Sequence, residues 1–109
     1  MSPAARGAAA AVWLLTGPEE GEKAAFLQQL AKGLEKAHGE PPEVHRFYAF
    51  EAQVAEVVRC LRNQSLFSRH RLVILGEAHR VQADEEVAAL AEYAKNPAPD
   101  ATLVLESAE

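Results

Sequence analysis

Two apolar patterns take turns along this chain: short continuous runs, and a repeat at i, i+3 and i+4. The continuous runs are "AVWLLT" (11–16), "RLVIL" (71–75) and "ATLVLES" (101–107), and "EVHRFYAF" (43–50) is rich in β-forming residues. Together they predict four strands, the first of them buried on both faces.

The helical repeats fill the gaps between these runs. They predict helices from Glu19 to about His38, ended by Gly39, then over 51–62, and then over 84–96 with Asp84 as the N-cap. The residues expected on the buried faces are Phe26, Leu27, Leu30, Ala31 and Leu34 in the first helix, Val54, Val57, Val58 and Leu61 in the second, and Val87, Leu90, Ala91 and Ala94 in the third.

Strands and helices therefore alternate in the order βαβαβαβ. This order predicts a three-layer α/β/α parallel sheet of the P-loop NTPase or AAA+ type. We expect residues 11–109 to form this domain, truncated after the fourth strand, and residues 1–10 to be a flexible lead-in.

Composition limits the classes of function. The net charge of −5 argues against a broad nucleic-acid surface, although basic residues cluster at Arg59, Arg62, Arg69 and Arg71. The single Cys60 excludes an internal disulfide and fits a reducing compartment. No apolar run approaches the roughly 20 residues of a membrane span, so we expect a cytoplasmic protein without membrane contact.

The stretch "TGPEEGEKA" (16–24) has the outline of a phosphate-binding loop. Counting from Gly17, such a loop requires a second glycine where this chain has Glu22, and a Ser or Thr where it has Ala24; Lys23 alone is in place. Ala24 removes a magnesium ligand, and Glu22 adds negative charge where phosphate must approach. We therefore interpret Lys23 as a solvated helix lysine paired with a neighbouring glutamate.

The second half of an ATPase site is also altered. Gly76 follows the third predicted strand where an Asp would help hold magnesium, and Glu77 remains beside it. Because Ala24 and Gly76 both remove ligands of the same ion, we predict a nucleotide-binding fold without catalysis, cofactor or metal. A small P-loop ATPase or phosphotransferase with an irregular loop stays the alternative function. A flavodoxin-like signalling domain is a third reading, which Gly76 disfavours.

Leu66 and Phe67 form an apolar pair inside the polar and basic stretch "NQSLFSRHR" (63–71). Neighbouring residues in a turn or short helix point in different directions, so one core cannot easily take both. One interpretation is a docking plug for a partner, with Arg69 at its rim. The other is that Leu66 or Phe67 covers the end of the second helix.

Three stretches, "VWLLTGPEEGEKAAFLQQL", "RFYAFEAQVAEVVRCLRNQSLFSRHRLVILGEAHRV" and "LAEYAKNPAPDATLVLES", resemble the N-terminal domain of the bacterial DNA polymerase III delta subunit. The resemblance covers about residues 12 to 107. Its most specific parts are Ser-Leu-Phe-Ser-x-x-Arg-Leu-Val at 65–73 and Tyr-x-x-Asn-Pro-x-Pro-x-x-x-Leu-Val-Leu from Tyr93 to Leu105.

The resemblance implies a non-hydrolysing AAA+ module of the clamp loader, an accessory subunit of the DNA-directed DNA polymerase. It implies that Leu66 and Phe67, with Ser65 before them and Gln64 nearby, enter an apolar pocket of the ring-shaped beta sliding clamp and favour its opening. By the resemblance, we expect the family's lid and collar domains to be absent from these 109 residues. It implies contact with other clamp-loader subunits through parts of the full-length chain, and with DNA only within the complex.

Overall fold

In the part of the chain that the structure describes, four parallel strands form one sheet flanked by three helices, and the chain order of these elements is the one expected from the sequence. The computed structural model describes residues 11–63 and 69–109; the predicted lead-in at 1–10 lies outside them. The elements are β1 (Val12–Leu15), α1 (Glu20–His38), β2 (Glu43–Tyr48), α2 (Val54–Arg62), β3 (Arg71–Gly76), α3 (Asp84–Lys95) and β4 (Ala101–Glu106). A short 3₁₀ turn at Ala78–Arg80 lies between β3 and α3.

The strands lie in the order β1-β4-β3-β2, all parallel. The register aligns their carboxyl ends at one edge of the sheet. Leu15 is opposite Glu106 in the β1–β4 pair, and Tyr48 is opposite Gly76 in the β2–β3 pair. The loops that follow β1 and β3, which carry the predicted nucleotide-site residues, therefore meet at this edge.

Helices cover both faces of the sheet, which confirms the three-layer α/β/α architecture. All residues of β3 are buried because alternate side chains enter different cores. Leu72 and Ile74 pack with Leu30 and Leu34 of α1 on one face. On the other face the core contains Val57 and Leu61 of α2, Val73 and Leu75 of β3, Tyr93 of α3, and Ala101 and Leu103 of β4. The predicted apolar face of α1 is correct.

β1 is an edge strand, and the prediction that both its faces are buried is wrong. Trp13 and Leu15 point into the α1 core, whereas the side chain of Leu14 is 59% exposed. A continuous apolar run of this length has the same pattern in an edge strand and a central strand, so the sequence could not separate the two.

The start of α2 is later than predicted. Residues 51–53 form the end of a turn, and α2 begins at Val54. Gln53 and Glu56 form a capping box, and Glu86 Oε2 accepts a hydrogen bond from the Val54 amide at 3.1 Å. These groups satisfy amides that the first helical turn leaves unpaired.

The cap of α3 differs from the prediction, and of the four residues predicted on its buried face Leu90 packs against the core while the other three are exposed. Ala83 is the N-cap and Asp84 is the first helical residue. Val87 is exposed, whereas Tyr93 is fully buried and its hydroxyl accepts a hydrogen bond from the Ala98 amide at 3.2 Å. Ala91 and Ala94 are exposed too, because the large Tyr93 ring determines which face of this helix meets the sheet.

None of the helices within the two described ranges has both the length and the apolar composition needed to cross a bilayer.

Candidate functional site

Lys23, Gly76 and Glu77, three of the six predicted nucleotide-site residues, line one cleft at the carboxyl ends of the strands, whereas Gly17, Glu22 and Ala24 are not part of its lining. Gly17 has φ of 104°, a left-handed conformation that glycine adopts without strain, and it turns the chain from β1 towards α1. Lys23 lies in the first turns of α1, and Gly76 and Glu77 end β3 and follow it. Glu22 and Ala24 are exposed on α1.

Lys23 is buried, so the prediction of a solvated lysine is wrong. It is only 5% exposed, and its Nζ donates a hydrogen bond to the Ser107 carbonyl oxygen at 2.9 Å. A carboxylate oxygen of Glu20 lies 3.7 Å from the same nitrogen, so the predicted pairing with a neighbouring glutamate is correct. The ammonium that would neutralise phosphate instead joins the start of α1 to the end of β4.

Gly76 has no room for an aspartate. A Cβ atom added to Gly76 would lie 2.8 Å from Cδ1 and 2.9 Å from Cε1 of the Tyr48 ring, closer than real Cβ atoms approach a neighbour. It would also lie 3.5 Å from a carboxylate oxygen of Glu106. Any side chain at position 76 would therefore require the Tyr48 ring to move.

Glu106 already has a cationic partner at this edge. Arg46 Nη1 donates to Glu106 Oε1 at 2.8 Å, and this hydrogen bond raises the pKa of the Arg46 guanidinium. Arg46 also lies over the Tyr48 ring, 5.8 Å from its centroid. Arg46 therefore lies beside both the carboxylate and the aromatic ring that border Gly76.

Glu77 has an unusual backbone. Its φ of 58° is left-handed, a conformation that costs a non-glycine residue about 1–2 kcal/mol. Its carboxylate lies 3.5 Å from Arg80 Nε and 3.7 Å from His79 Nε2. The Glu77 carboxylate therefore lies next to two basic side chains of the 3₁₀ turn that follows it.

The cleft between these residues is small and more acidic than basic. Its volume is about 190 Å³, below the roughly 300 Å³ at which ligand pockets usually begin. It is lined by the carboxylates of Glu20, Glu77 and Glu106 and by the cations of Lys23 and Arg46. Within residues 11–63 and 69–109, no three His, Cys, Asp or Glu side chains converge as metal ligands would. A triphosphate and its magnesium ion fit this cleft poorly.

We expect Lys23→Met to lower the free energy of unfolding by about 1–2 kcal/mol, because it removes a charge-assisted bond to a buried carbonyl. Urea unfolding measures the change. Lys32→Met, at an exposed position of the same helix, is the matched control and should change stability by less than about 0.5 kcal/mol. Equal stability of the two variants would show that the bond to Ser107 contributes nothing.

The second predicted site, Gln64, Ser65, Leu66 and Phe67, lies outside the described residues. Its two flanks are described. α2 ends at Arg62 with Asn63 as its C-cap, and β3 begins at Arg71. Both flanks therefore lie near the amino end of β3, whereas the nucleotide-like cleft lies at the carboxyl ends of the strands.

The four basic residues around this segment have different environments. Arg59 is exposed on α2. Arg62 donates to the Asn96 carbonyl oxygen at 2.9 Å and lies 4.7 Å from the centroid of the Tyr93 ring. Arg69 Nε donates to the Pro41 carbonyl oxygen at 3.2 Å, with its side chain 35% exposed. Arg71 is buried, so these residues do not form one exposed basic surface.

Sequence reasoning missed the partners of these arginines. The Arg71 guanidinium forms an ion pair with the Asp100 carboxylate, and the Arg62 guanidinium lies over the Tyr93 ring. The Tyr93 hydroxyl also accepts a hydrogen bond from the Ala98 amide in the turn 96–99. The motif that starts at Tyr93 was the available signal. It indicated a family resemblance without indicating that this turn contacts α2.

His70 stacks on His38 at the same end of the sheet. The ring centroids are 4.5 Å apart, and His70 Nε2 lies 2.7 Å from the Thr102 hydroxyl oxygen. Burial lowers the pKa of His70, with further lowering from His38 and Arg71 and an opposing effect from Asp100.

Because the folded state binds the His70 proton more weakly than the unfolded state, stability should fall as the pH drops below about 6.5, the pKa of an unperturbed histidine. Above that value both states are neutral and the contribution is complete. We expect His70→Gln to show a smaller loss of unfolding free energy between pH 7.5 and 5.5 than the wild-type chain, measured by urea unfolding. Equal losses would show that another group causes the dependence.

Comparison with solved structures finds the fold in a known protein. The chain is similar to the Bacillus subtilis DNA clamp loader delta protein (YqeN), with a TM-score of 0.66 and 20% sequence identity over 90% of this chain. The similar region is 31% of that protein, so the likeness concerns a part of it and shows the fold. No protein-family model matches the chain, and no curated protein sequence does.

Proposed function

We propose that this chain is the clamp-contacting, non-catalytic domain of a clamp loader delta subunit in bacterial DNA replication. The fold supports the proposal, since a clamp loader delta protein shares it. The sequence supports it independently, because the stretch 65–73 resembles the clamp-binding segment of that family. By that resemblance, Leu66 and Phe67 insert into a pocket of the beta sliding clamp, with Ser65, Gln64 and Arg69 around them.

The state of the nucleotide-like cleft favours a binding module over an ATPase. Lys23 is engaged by the Ser107 carbonyl, and the Tyr48 ring fills the space beside Gly76. This filling of the cleft by the chain's own groups is the observation that carries the non-catalytic part of the proposal. The module acts as an accessory to the polymerase, and its clamp contact favours the opened ring.

The contacts of the arginines and the net charge help to decide whether this domain binds DNA or the clamp. Arg62, Arg69 and Arg71 donate hydrogen bonds within the chain, and the net charge of −5 argues against a broad DNA-binding surface. The proposed partner of this domain is therefore the clamp. Contacts with DNA and with other loader subunits belong to the assembled loader, in the bacterial cytoplasm.

Two titrations of the chain test the proposal. Calorimetry with the sliding clamp of the same organism should give saturable binding, and calorimetry with Mg-ATP should give no binding tighter than about 100 μM, or roughly 5.5 kcal/mol. Mg-ATP binding above that strength without clamp binding would favour the P-loop ATPase or phosphotransferase instead.

A further inference from the structure

Arg71 caps the end of α2 from inside the protein. Its guanidinium donates from Nε to the Cys60 carbonyl oxygen at 3.1 Å and from Nη2 to the Leu61 carbonyl oxygen at 2.7 Å. The last carbonyls of a helix have no partner within the helix, so these bonds satisfy groups that would otherwise be unpaired beside the core. The first residue of β3 thus holds the last turn of α2.

The same guanidinium is held in place by the start of β4. Arg71 Nη2 lies 3.0 Å from Asp100 Oδ1, and Nη1 lies 3.3 Å from Asp100 Oδ2, in a two-bond arrangement. The Arg71 amide also donates to the Asp100 carbonyl oxygen at 3.0 Å. A planar guanidinium reaches all of these acceptors at once, which the single ammonium of a lysine cannot do.

Two further arginines attach the flanks of residues 64–68 to separate parts of the fold. Arg62, the last residue of α2, is bonded to the Asn96 carbonyl and lies on the Tyr93 ring. Arg69, just before β3, is bonded to the Pro41 carbonyl in the turn before β2. The points where the chain leaves α2 and enters β3 are therefore both fixed, and Arg71 joins them directly.

We propose that Arg71, held by Asp100, is a positioning residue for clamp binding: it sets the separation and direction of the two described flanks that border residues 64–68. The inference rests on the proposed function. Arg71 is only 2% exposed, so it acts through the backbone of α2 and not by touching the clamp. Fixing the flanks before binding reduces the conformational entropy that the complex must lose.

Three variants of the full chain separate positioning from stability. Arg71→Met with Asp100→Asn removes both charges together, and replacement of both partners of a buried pair is often tolerated by the fold. Arg71→Lys keeps the charge without the fork of bonds. Leu30→Ala weakens the α1 core on the opposite face of the sheet and is the control for lowered stability. Affinity for the sliding clamp is measured at a temperature at which circular dichroism shows each variant fully folded.

We expect both Arg71 variants to bind the clamp at least about tenfold more weakly, mainly through faster dissociation. Leu30→Ala should bind as the wild-type chain does. Amide hydrogen exchange at Asn63 and Arg69 should be faster in the Arg71 variants and unchanged in Leu30→Ala.

Wild-type affinity in either folded Arg71 variant overturns the inference and leaves the proposed function standing. Equal weakening in Leu30→Ala also overturns it, since stability alone would then explain the loss. Absence of clamp binding by the wild-type chain overturns the proposed function and this inference with it.

Discussion

Replacing Leu66 and Phe67 together by alanine is expected to abolish clamp binding and to leave the fold intact. Transfer of two such side chains into an apolar pocket contributes about 3–6 kcal/mol, taking 1.5–3 kcal/mol for each. Their loss should weaken binding by a factor of about 100 to 10,000. Because interface anchors are exposed in the free protein, the free energy of unfolding should stay within about 1 kcal/mol of the wild-type value. Calorimetric titration with the clamp and urea unfolding give the two numbers.

A matched pair of apolar side chains elsewhere provides the control. Leu14 and Phe50 are also a leucine and a phenylalanine, and they are 59% and 58% exposed. Leu14→Ala with Phe50→Ala should leave clamp affinity unchanged. If instead Leu66→Ala with Phe67→Ala unfolds the protein, the pair belongs to the core, as the alternative interpretation of the sequence holds, and the docking segment must be sought elsewhere.

The sheet and its helices were predictable because their patterns are local. The continuous run over 71–75 identified a strand, and the repeat in α1 identified its buried face through Leu30 and Leu34. The predicted burial is wrong where a single large side chain sets the orientation of a helix, or where a strand lies at the edge of the sheet. The Tyr93 ring sets the buried face of α3, and the place of β1 at the sheet edge exposes Leu14.

In the cleft, the sequence predicted only which ligands of a nucleotide site are missing. Ala24 and Gly76 could be identified as missing ligands by counting along a motif. The new partner of Lys23 could not be found this way, since Ser107 lies 84 residues further along the chain. The same reason explains why the sequence grouped Arg71 with a basic cluster, since its partner Asp100 is 29 residues away. Such contacts depend on strand order, which periodicity does not specify.

The role of residues 64–68 in clamp binding stays a prediction from the sequence. The fold adds the contacts of the residues on either side of this segment. Arg62, Arg69 and Arg71 each donate a hydrogen bond to a backbone carbonyl in a different part of the chain. We expect attachment of the chain on both sides of residues 64–68 to reduce the conformational entropy that clamp binding costs.

Restoring the missing ligands by Ala24→Thr with Gly76→Asp is expected to destabilise the protein without creating an ATP site. The introduced aspartate side chain would have to enter the space of the Tyr48 ring, and overpacking of this kind costs about 1–3 kcal/mol. Its carboxylate would also lie close to that of Glu106, and like charges at short distance add to the cost. We expect a loss of at least about 2 kcal/mol in unfolding free energy, measured by urea unfolding.

Single changes locate the cause. Ala24→Thr alone lies on an exposed helix position and should be nearly neutral, whereas Gly76→Ala should already destabilise, since its Cβ meets the ring. Adding Tyr48→Ala to Gly76→Asp should recover part of the loss by removing the obstructing ring. Even then Lys23 remains bonded to Ser107 and Glu22 remains in the first turn of α1, so calorimetry should detect no Mg-ATP binding. Measurable ATP turnover by the double variant would contradict this account, because it would mean that the cleft still accepts a triphosphate once its metal ligands return.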